Sequence, residues 1–171
     1  METIAVSIGS NLGDRYWHII QMEKMLTELL LPPIRYSPLM ETEPVEVYDD
    51  QPWYLNRIIT GTFRHGPYEL LESTREIERK LGREEKGKKT ARTADIDILL
   101  FGKEVLDSEL LRIPHPSLLS RHFVLKGLRE CIPDFSVSLF GQTVEELYNG
   151  NLSKFTSQQV RLLQKGGSNE E

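Results

Sequence analysis

The sequence predicts an α+β fold, a mainly antiparallel sheet built on a βαββαβ core with further strand and helix elements toward the C-terminus. Three observations carry this. Runs of β-branched and apolar residues alternate with segments of helical periodicity in the order strand, helix, strand, strand, helix, strand. The breaks between them are turn residues, Gly9 to Asp14, Pro32-Pro33, His65-Gly66-Pro67 and Gly82. The length of 171 residues is that of one domain with a substantial core, so residues 1–165 are expected to form a single domain and 166–171 a frayed tail.

The elements follow in order. Ile4 to Ile8 is a β-branched strand ending in Gly9-Ser10-Asn11-Leu12-Gly13-Asp14, where Asp14 is placed to cap a helix. That helix is expected from Arg15 to Leu30, with Trp17, Ile20, Met25, Leu26, Leu29 and Leu30 toward one face, and Pro32-Pro33 ends it. Ile34 to Met40 reads as a strand and Glu41 to Trp53 as a long loop, followed by the β-rich run Tyr54 to Phe63. Pro67 opens a second helix, to Leu81, with Leu70, Leu71, Thr74, Ile77 and Leu81 on one face and Gly82 at its cap. Asp95 to Phe101 is the next strand, Glu104 to Leu106 a short segment that pairs locally, and Ile113-Pro114-His115-Pro116 a break. Arg121 to Cys131 reads as a helix, 135–140 as a short strand and Thr143 to Tyr148 as a helix capped by Thr143 with Glu146 three later. This order is the ferredoxin-like arrangement, with two helices on one face of the sheet and the other face left for additions or ligands.

Composition narrows the function classes. The hydrophobic and charged fractions, 39% and 27%, are those of a globular protein, and no apolar run reaches the roughly 20 residues that span a bilayer. The first residues lack a basic leader and cleavage pattern, so a cytoplasmic location is expected. A single cysteine, Cys131, excludes an internal disulfide framework and reads as a small buried hydrophobe. The net charge of −5, with acids on the strand that would face a ligand, argues against nucleic acid as a partner.

The chemistry is concentrated in Arg92-Thr93-Ala94-Asp95-Ile96-Asp97-Ile98-Leu99-Leu100. On a strand, Asp95 and Asp97 share one face with their α-carbons roughly 7 Å apart, while Ile96 and Ile98 share the other. Two carboxylates so placed suit Mg²⁺, which takes one or two and completes its shell with water and phosphate oxygens. Arg92 adds a guanidinium able to grip phosphate. Taken alone, such a pair reads more readily as a solvated polar strand edge than as a cation site. From Arg79 to Arg92 the chain then carries seven basic residues against two acidic ones, a setting that attracts a polyphosphate in an otherwise acidic protein.

With these residues in place, the sequence resembles the 6-hydroxymethyl-7,8-dihydropterin pyrophosphokinases of folate biosynthesis. The matching pieces are Ile8 to Asp14, Glu41 to Val45, Asp50 to Asn56, Ile77-Glu78, Leu81 to Arg83, Arg92 to Leu100, Ile113 to Pro116 and Arg121 to Leu125. The resemblance implies an ATP- and Mg²⁺-dependent enzyme that moves a pyrophosphoryl group from ATP to the pterin's hydroxymethyl oxygen and releases AMP. It implies that Asp95 and Asp97 hold two Mg²⁺ ions with ATP as co-substrate. By the same resemblance Glu78, Arg83, Arg92, Ile98, His115 and Arg121 bind ATP, with Arg83, Arg92, His115 and Arg121 catalytic. Tyr54 and Phe123 sandwich the pterin, Asn56 meets its amide edge, and Thr42 and Val45 complete that edge. The chain departs from the family at Lys89-Thr90-Ala91, where many members carry Trp-Gly-Pro, so Lys86, Lys88 and Lys89 are read only as phosphate-steering residues. Two other readings fit the same pattern less well: a palm-like nucleotidyltransferase, which would release pyrophosphate, and a small-ligand or RNA-binding module.

Overall fold

The structure is a computed structural model that describes residues 1–44, 50–82, 92–155 and 159–163. In chain order its elements are β1 (Glu2–Ser10), α1 (Arg15–Leu29), β2 (Leu31–Tyr36), β3 (Met40–Thr42), β4 (Tyr54–Phe63), α2 (Pro67–Lys80) and β5 (Asp95–Phe101). There follow β6 (Leu106–Asp107), β7 (Arg112–Ile113), α3 (His122–Cys131), β8 (Ser136–Val137), β9 (Gln142–Thr143), α4 (Val144–Asn151) and β10 (Val160–Leu162). A 3-10 turn at Leu152–Lys154 follows α4.

The main sheet has the order β10-β3-β4-β1-β5, and among the described residues its strands pair antiparallel throughout. β2 also pairs antiparallel with β4, so β2 and β3 lie along successive stretches of one β4 edge. Between them Ser37 continues the attachment: its N–H donates to the Ile58 carbonyl at 2.9 Å and its Oγ accepts from the Ile58 N–H at 2.8 Å. The expected strand Ile34 to Met40 is thus two short strands, and the expected loop from Glu41 begins inside β3.

Strand alternation sorts the core into two layers. Ile4, Val6 and Ile8 of β1, Leu55, Ile59 and Phe63 of β4, and Ile96 and Ile98 of β5 face α1 and α2. On the opposite face, Ala5, Ile58, Met40 and Leu100 meet Phe123, Val124, Leu125 and Leu128 of α3 and Val144 and Leu147 of α4. The face expected to take additions or ligands is covered over much of its area by the added helices α3 and α4. Each fully buried Ile or Leu in these layers stabilises the fold by about 1.5–3 kcal/mol relative to exposure.

β5 changes phase along its length. Val6 pairs with Ile98 and Ala5 with Leu100, so Leu99 is one extra residue, a β-bulge. Before the bulge the even-numbered residues face α1 and α2; beyond it Phe101 does, and Leu99 and Leu100 both join the α3 and α4 layer.

The helices form where expected, with one rotated. Asp14 caps α1 by accepting from the Trp17 N–H at 3.0 Å. The face α1 buries is Ile19, Met22 and Leu26, while Trp17 is 51% exposed and Leu29 37%. The expected face mixed two apolar stripes, and the sheet took the narrower one. In α2 the expected Leu70, Leu71, Thr74 and Ile77 are buried, Glu69 reaches back to the Gly66 N–H, and Gly82 follows with φ +88°. α4 opens with the expected Thr143 and Glu146 capping box. Cys131 is buried at the end of α3, where desolvation pushes its thiol up to about 11. Among the described residues no helix is long and apolar enough to cross a membrane.

α3 sits close on the sheet because Gly127 faces it. A Cβ at Gly127 would lie 2.2 Å from Ile58 Cγ1 and 3.0 Å from Ile58 Cβ, so the helix rests backbone against side chain on the middle of β4.

Candidate active site

The site is assembled where β4, β1 and β5 run side by side. Register places Asn56 opposite Gly9 on one side and Asp95 opposite Gly9 on the other. One pair of residues further in, Ser7 lies between Ile58 and Asp97. With strands 4.7–4.9 Å apart, the Asn56 and Asp95 backbones are about 10 Å from each other, with glycine between them. A Cβ at Gly9 would fall 2.7 Å from Asn56 Oδ1 and 3.4 Å from a Tyr54 ring carbon. Glycine is needed here for room; its strand backbone is ordinary.

On the β4 side, Tyr54, Asn56 and Ile58 point to the α3 face, as their even numbering requires. Asn56 is buried and donates through Nδ2 to Thr42 Oγ1, which arrives from β3, where Thr42 pairs with Tyr54. Phe123 lies in the first turn of α3, buried in the layer over this same face. Four of the five residues expected for a flat heteroaromatic ligand therefore belong to one face of the sheet. The fifth, Val45, lies outside the described residues.

On the β5 side, Asp95 and Asp97 share the face away from α1, each with under a fifth of its side chain exposed. Arg92 Nη1 is 3.2 Å from Asp95 Oδ2. Around Asp97, His115 Nε2 stands at 3.9 Å and Arg121 Nη1 at 3.8 Å. The His115 N–H donates to the Leu99 carbonyl at 3.0 Å, and its Nδ1 accepts from the Ser117 N–H at 3.1 Å. With Nδ1 accepting, a neutral ring carries its proton on Nε2, the nitrogen turned to Asp97. The anchor is available because β5 is the edge strand of the main sheet and presents carbonyls on its open side. Arg121 is the residue at which α3 begins. Next to it, His122 stacks on Phe155 with centroids 4.7 Å apart, and burial together with the Lys126 charge holds its pKa below the usual histidine value.

A pair of carboxylates with two guanidinium groups and an imidazole around it is chemically apt for a magnesium–triphosphate. Its oxygen donors suit a hard cation, and Mg²⁺ that shares its shell with phosphates needs no larger protein cage. Among the described residues no group of three or more His, Cys, Asp or Glu forms a cage.

Two other expected residues sit elsewhere. The Ile98 side chain faces the α1 and α2 core, away from the aspartates, so only its backbone borders the site. Glu78 is buried in the last turn of α2, 3% exposed. Arg83, Lys86, Lys88 and Lys89 lie outside the described residues, as does the tail from 166.

Sequence reasoning passed over Asn11. It is fully buried, and its Oδ1 accepts from the Arg92 N–H at 2.7 Å while its own N–H donates to the Arg92 carbonyl at 3.0 Å. Its Nδ2 donates to Gln51 Oε1 at 3.3 Å and to the Pro52 carbonyl at 3.1 Å. One amide thus ties the segment leading into β4 to the segment leading into β5. The signal was an asparagine in the turn directly after β1, in a stretch read as a connection and as part of the family resemblance, with no role given to Asn11 itself.

Comparison with known proteins gives three findings. The sequence matches, over residues 5–133, the family described as 7,8-dihydro-6-hydroxymethylpterin-pyrophosphokinase. It is similar to the 2-amino-4-hydroxy-6-hydroxymethyldihydropteridine pyrophosphokinase of Bacillus subtilis, 40% identical over 132 residues, which cover 76% of this chain and 78% of that one. The enzyme of the same name from Aquifex aeolicus is 32% identical over 162 residues, 90% of this chain and 95% of that one. Among solved structures, the Plasmodium falciparum HPPK-DHPS crystallised with pteroate superposes with a TM-score of 0.68 at 16% identity. That match covers 90% of this chain and 45% of the Plasmodium chain, so this chain spans less than half of it. At that identity the likeness is one of fold.

Proposed function

This chain belongs to the 7,8-dihydro-6-hydroxymethylpterin-pyrophosphokinase family, and from that premise we propose how its residues divide the reaction. It is a pyrophosphokinase of folate synthesis. The hydroxymethyl oxygen of the dihydropterin attacks the β-phosphorus of ATP, the bond from that phosphorus to the oxygen bridging to the α-phosphorus breaks, the hydroxyl proton is released, and AMP leaves. Catalysis of this kind rests on positioning and on charge stabilisation, because phosphoryl transition states spread charge over non-bridging oxygens.

The observation that carries the assignment is the row Asn56, Gly9, Asp95, which sets a hydrogen-bonding edge and a carboxylate pair on either side of an empty strand position. The pterin occupies the β4 side, with its ring between Tyr54 and Phe123. Its amide edge meets Asn56, whose Thr42 partner fixes which way the amide faces. Val45 completes that edge. The triphosphate lies on the β5 side, where Arg92, His115 and Arg121 neutralise its oxygens, Arg83 closes over it, and Glu78 and the Ile98 backbone border the nucleotide. Asp95 and Asp97 would hold Mg²⁺, two ions in the full complex, whose charge would offset that of the phosphates as the nucleophile approaches. His115 presents an N–H through Nε2, a donor for a phosphate oxygen.

The wider setting fits this reading. Strands β3, β4, β1 and β5 with helices α1 and α2 follow the ferredoxin-like order, and residues 1–165 are taken as one catalytic domain whose partners are small molecules. Incubation with ATP, Mg²⁺ and 6-hydroxymethyl-7,8-dihydropterin should release AMP, and EDTA should stop it. Pyrophosphate as the product would favour a nucleotidyltransferase instead, and turnover undiminished by EDTA would overturn the Mg²⁺ assignment.

Phe123 provides a test of the pterin side. Phe123→Leu retains an apolar side chain and removes the ring, and is expected to weaken pterin binding by about 1–2 kcal/mol while ATP affinity holds. Calorimetric titration of the pterin in the presence of a non-hydrolysable ATP analogue measures this; unchanged affinity would make Phe123 a core residue only.

A further inference from the structure

The C-terminal strand β10 lies beyond residue 133, outside the stretch matched by the family, yet it is attached to the part of the sheet that carries Thr42 and Tyr54. Val160 pairs with Thr42, Arg161 with Glu41 and Leu162 with Met40. The pairing is extended at both ends, where the Glu43 N–H donates to the Gln159 carbonyl at 3.2 Å and the Leu163 N–H to the Leu39 carbonyl at 3.1 Å. β3 has three residues and would otherwise be an edge strand. A strand so short keeps its register only when something holds its open side.

Arg161 adds a second hold. Its guanidinium carbon lies 3.9 Å from the centroid of the Trp53 ring, a cation–π contact. Trp53 is the residue before Tyr54, and its carbonyl accepts from Arg15 Nη1 at 2.7 Å. Arg15 in turn approaches Glu41, the cross-strand partner of Arg161, at 3.8 Å. Arg161, Trp53, Arg15 and Glu41 therefore form one cluster on the α1 side of the sheet, beneath the face where Thr42, Tyr54 and Asn56 stand. We propose that β10, through Arg161 on Trp53, positions Thr42 and Tyr54 and so sets the enzyme's affinity for the pterin while leaving ATP binding alone. Arg161 acts here as a positioning residue. The inference rests on the pterin assignment made above.

Three full-length variants test it. Arg161→Ala removes the cation and keeps the strand, Arg161→Lys keeps a cation, and Arg161→Pro also deletes an N–H within the β10 ladder. Arg161→Ala should raise KM for the pterin about two- to fivefold, the scale of an exposed cation–π contact. Arg161→Lys should restore most of it and Arg161→Pro should exceed it, with kcat and KM for ATP within about twofold throughout. Trp53 and Trp17 are the two tryptophans of the chain, so in a Trp17→Phe background the emission of Trp53 should change in Arg161→Ala and less in Arg161→Lys. A pterin KM that stays within twofold in both the Ala and Pro variants, or an equal rise in KM for ATP, would overturn the proposal. Asn56→Ala separates this from the underlying reading: if it too leaves pterin KM unchanged, the pterin assignment fails; if it raises KM and the Arg161 variants do not, only the role of β10 fails.

Discussion

Asp97→Asn is expected to fold like the parent and to lose about 10²–10³-fold in kcat, the usual scale for removing one preorganised electrostatic group at a phosphoryl site. Asparagine keeps the shape of the side chain on β5 and deletes its charge. The sign of the effect on ATP binding is the sharper readout. Without divalent metal, Asp97 repels the triphosphate, while Arg121 at 3.8 Å and His115 at 3.9 Å attract it. Removing the carboxylate should therefore leave ATP affinity in EDTA equal or better, and should weaken the tightening that Mg²⁺ brings. A carboxylate whose role was only to steady Arg121 and His115 would behave otherwise, since its loss would disorder those side chains and weaken ATP binding with or without metal. Equilibrium titration of ATP with and without Mg²⁺ distinguishes the two. Asp95→Asn should follow the same pattern, and near-parental turnover in either variant would remove the metal assignment.

The second large effect is on stability. Gly127→Ala adds one methyl group to a helix, a change that by intrinsic propensity alone favours the fold by up to about 1 kcal/mol. Here the added carbon would come within 2.2 Å of Ile58 Cγ1 and 3.3 Å of the Met40 methyl. Ile58 is β-branched, fully buried and on a central strand, so it has little freedom to withdraw. α3 must lift, and overpacking of this sort costs about 1–3 kcal/mol. For a domain of this size the melting temperature should fall by several degrees, at about 2–4 °C per kcal/mol. Because α3 begins at Arg121 and carries Phe123, KM should rise for both substrates. Thermal melts alongside steady-state kinetics check both statements; an unchanged or raised melting temperature would mean that α3 does not rest on β4 through Gly127.

The two halves of the site differed in how far the sequence exposed them. Alternation along Tyr54 to Phe63 and along Asp95 to Ile98 was readable, and so was the sharing of faces by Tyr54 with Asn56 and by Asp95 with Asp97, because strand periodicity is a local property. The row Asn56, Gly9, Asp95 was not, since it depends on which strands become neighbours and in what register. Gly9 entered as a turn signal and within the Ile8 to Asp14 piece of the resemblance, with no role of its own, although its effect is to leave space between two side-chain sites. Asn11 and Gly127 work through partners 40 to 81 residues away or on another element, and no local pattern marks such residues. The buried face of α1 was assigned incorrectly for a related reason: Trp17, Ile20 and Leu29 make an apolar stripe as convincing as Ile19, Met22 and Leu26, and the sheet decides between them. β10 left almost no trace, being three residues whose partner strand is itself three residues long.

The extra residue in β5 also acts as a phase marker. Upstream of Leu99 the strand is in one frame, set by the aspartates; downstream it is in the other, set by Leu100 and Phe101. Deleting Leu99 would merge the frames and exchange the surroundings of Leu100 and Phe101, and would remove the residue whose carbonyl holds the His115 N–H. The strand can accordingly be edited as two independent words. Substitutions of Asp95 and Asp97 act on chemistry, those of Ile96, Ile98 and the residues beyond the bulge act on folding, and a change in strand length between them would be felt in both.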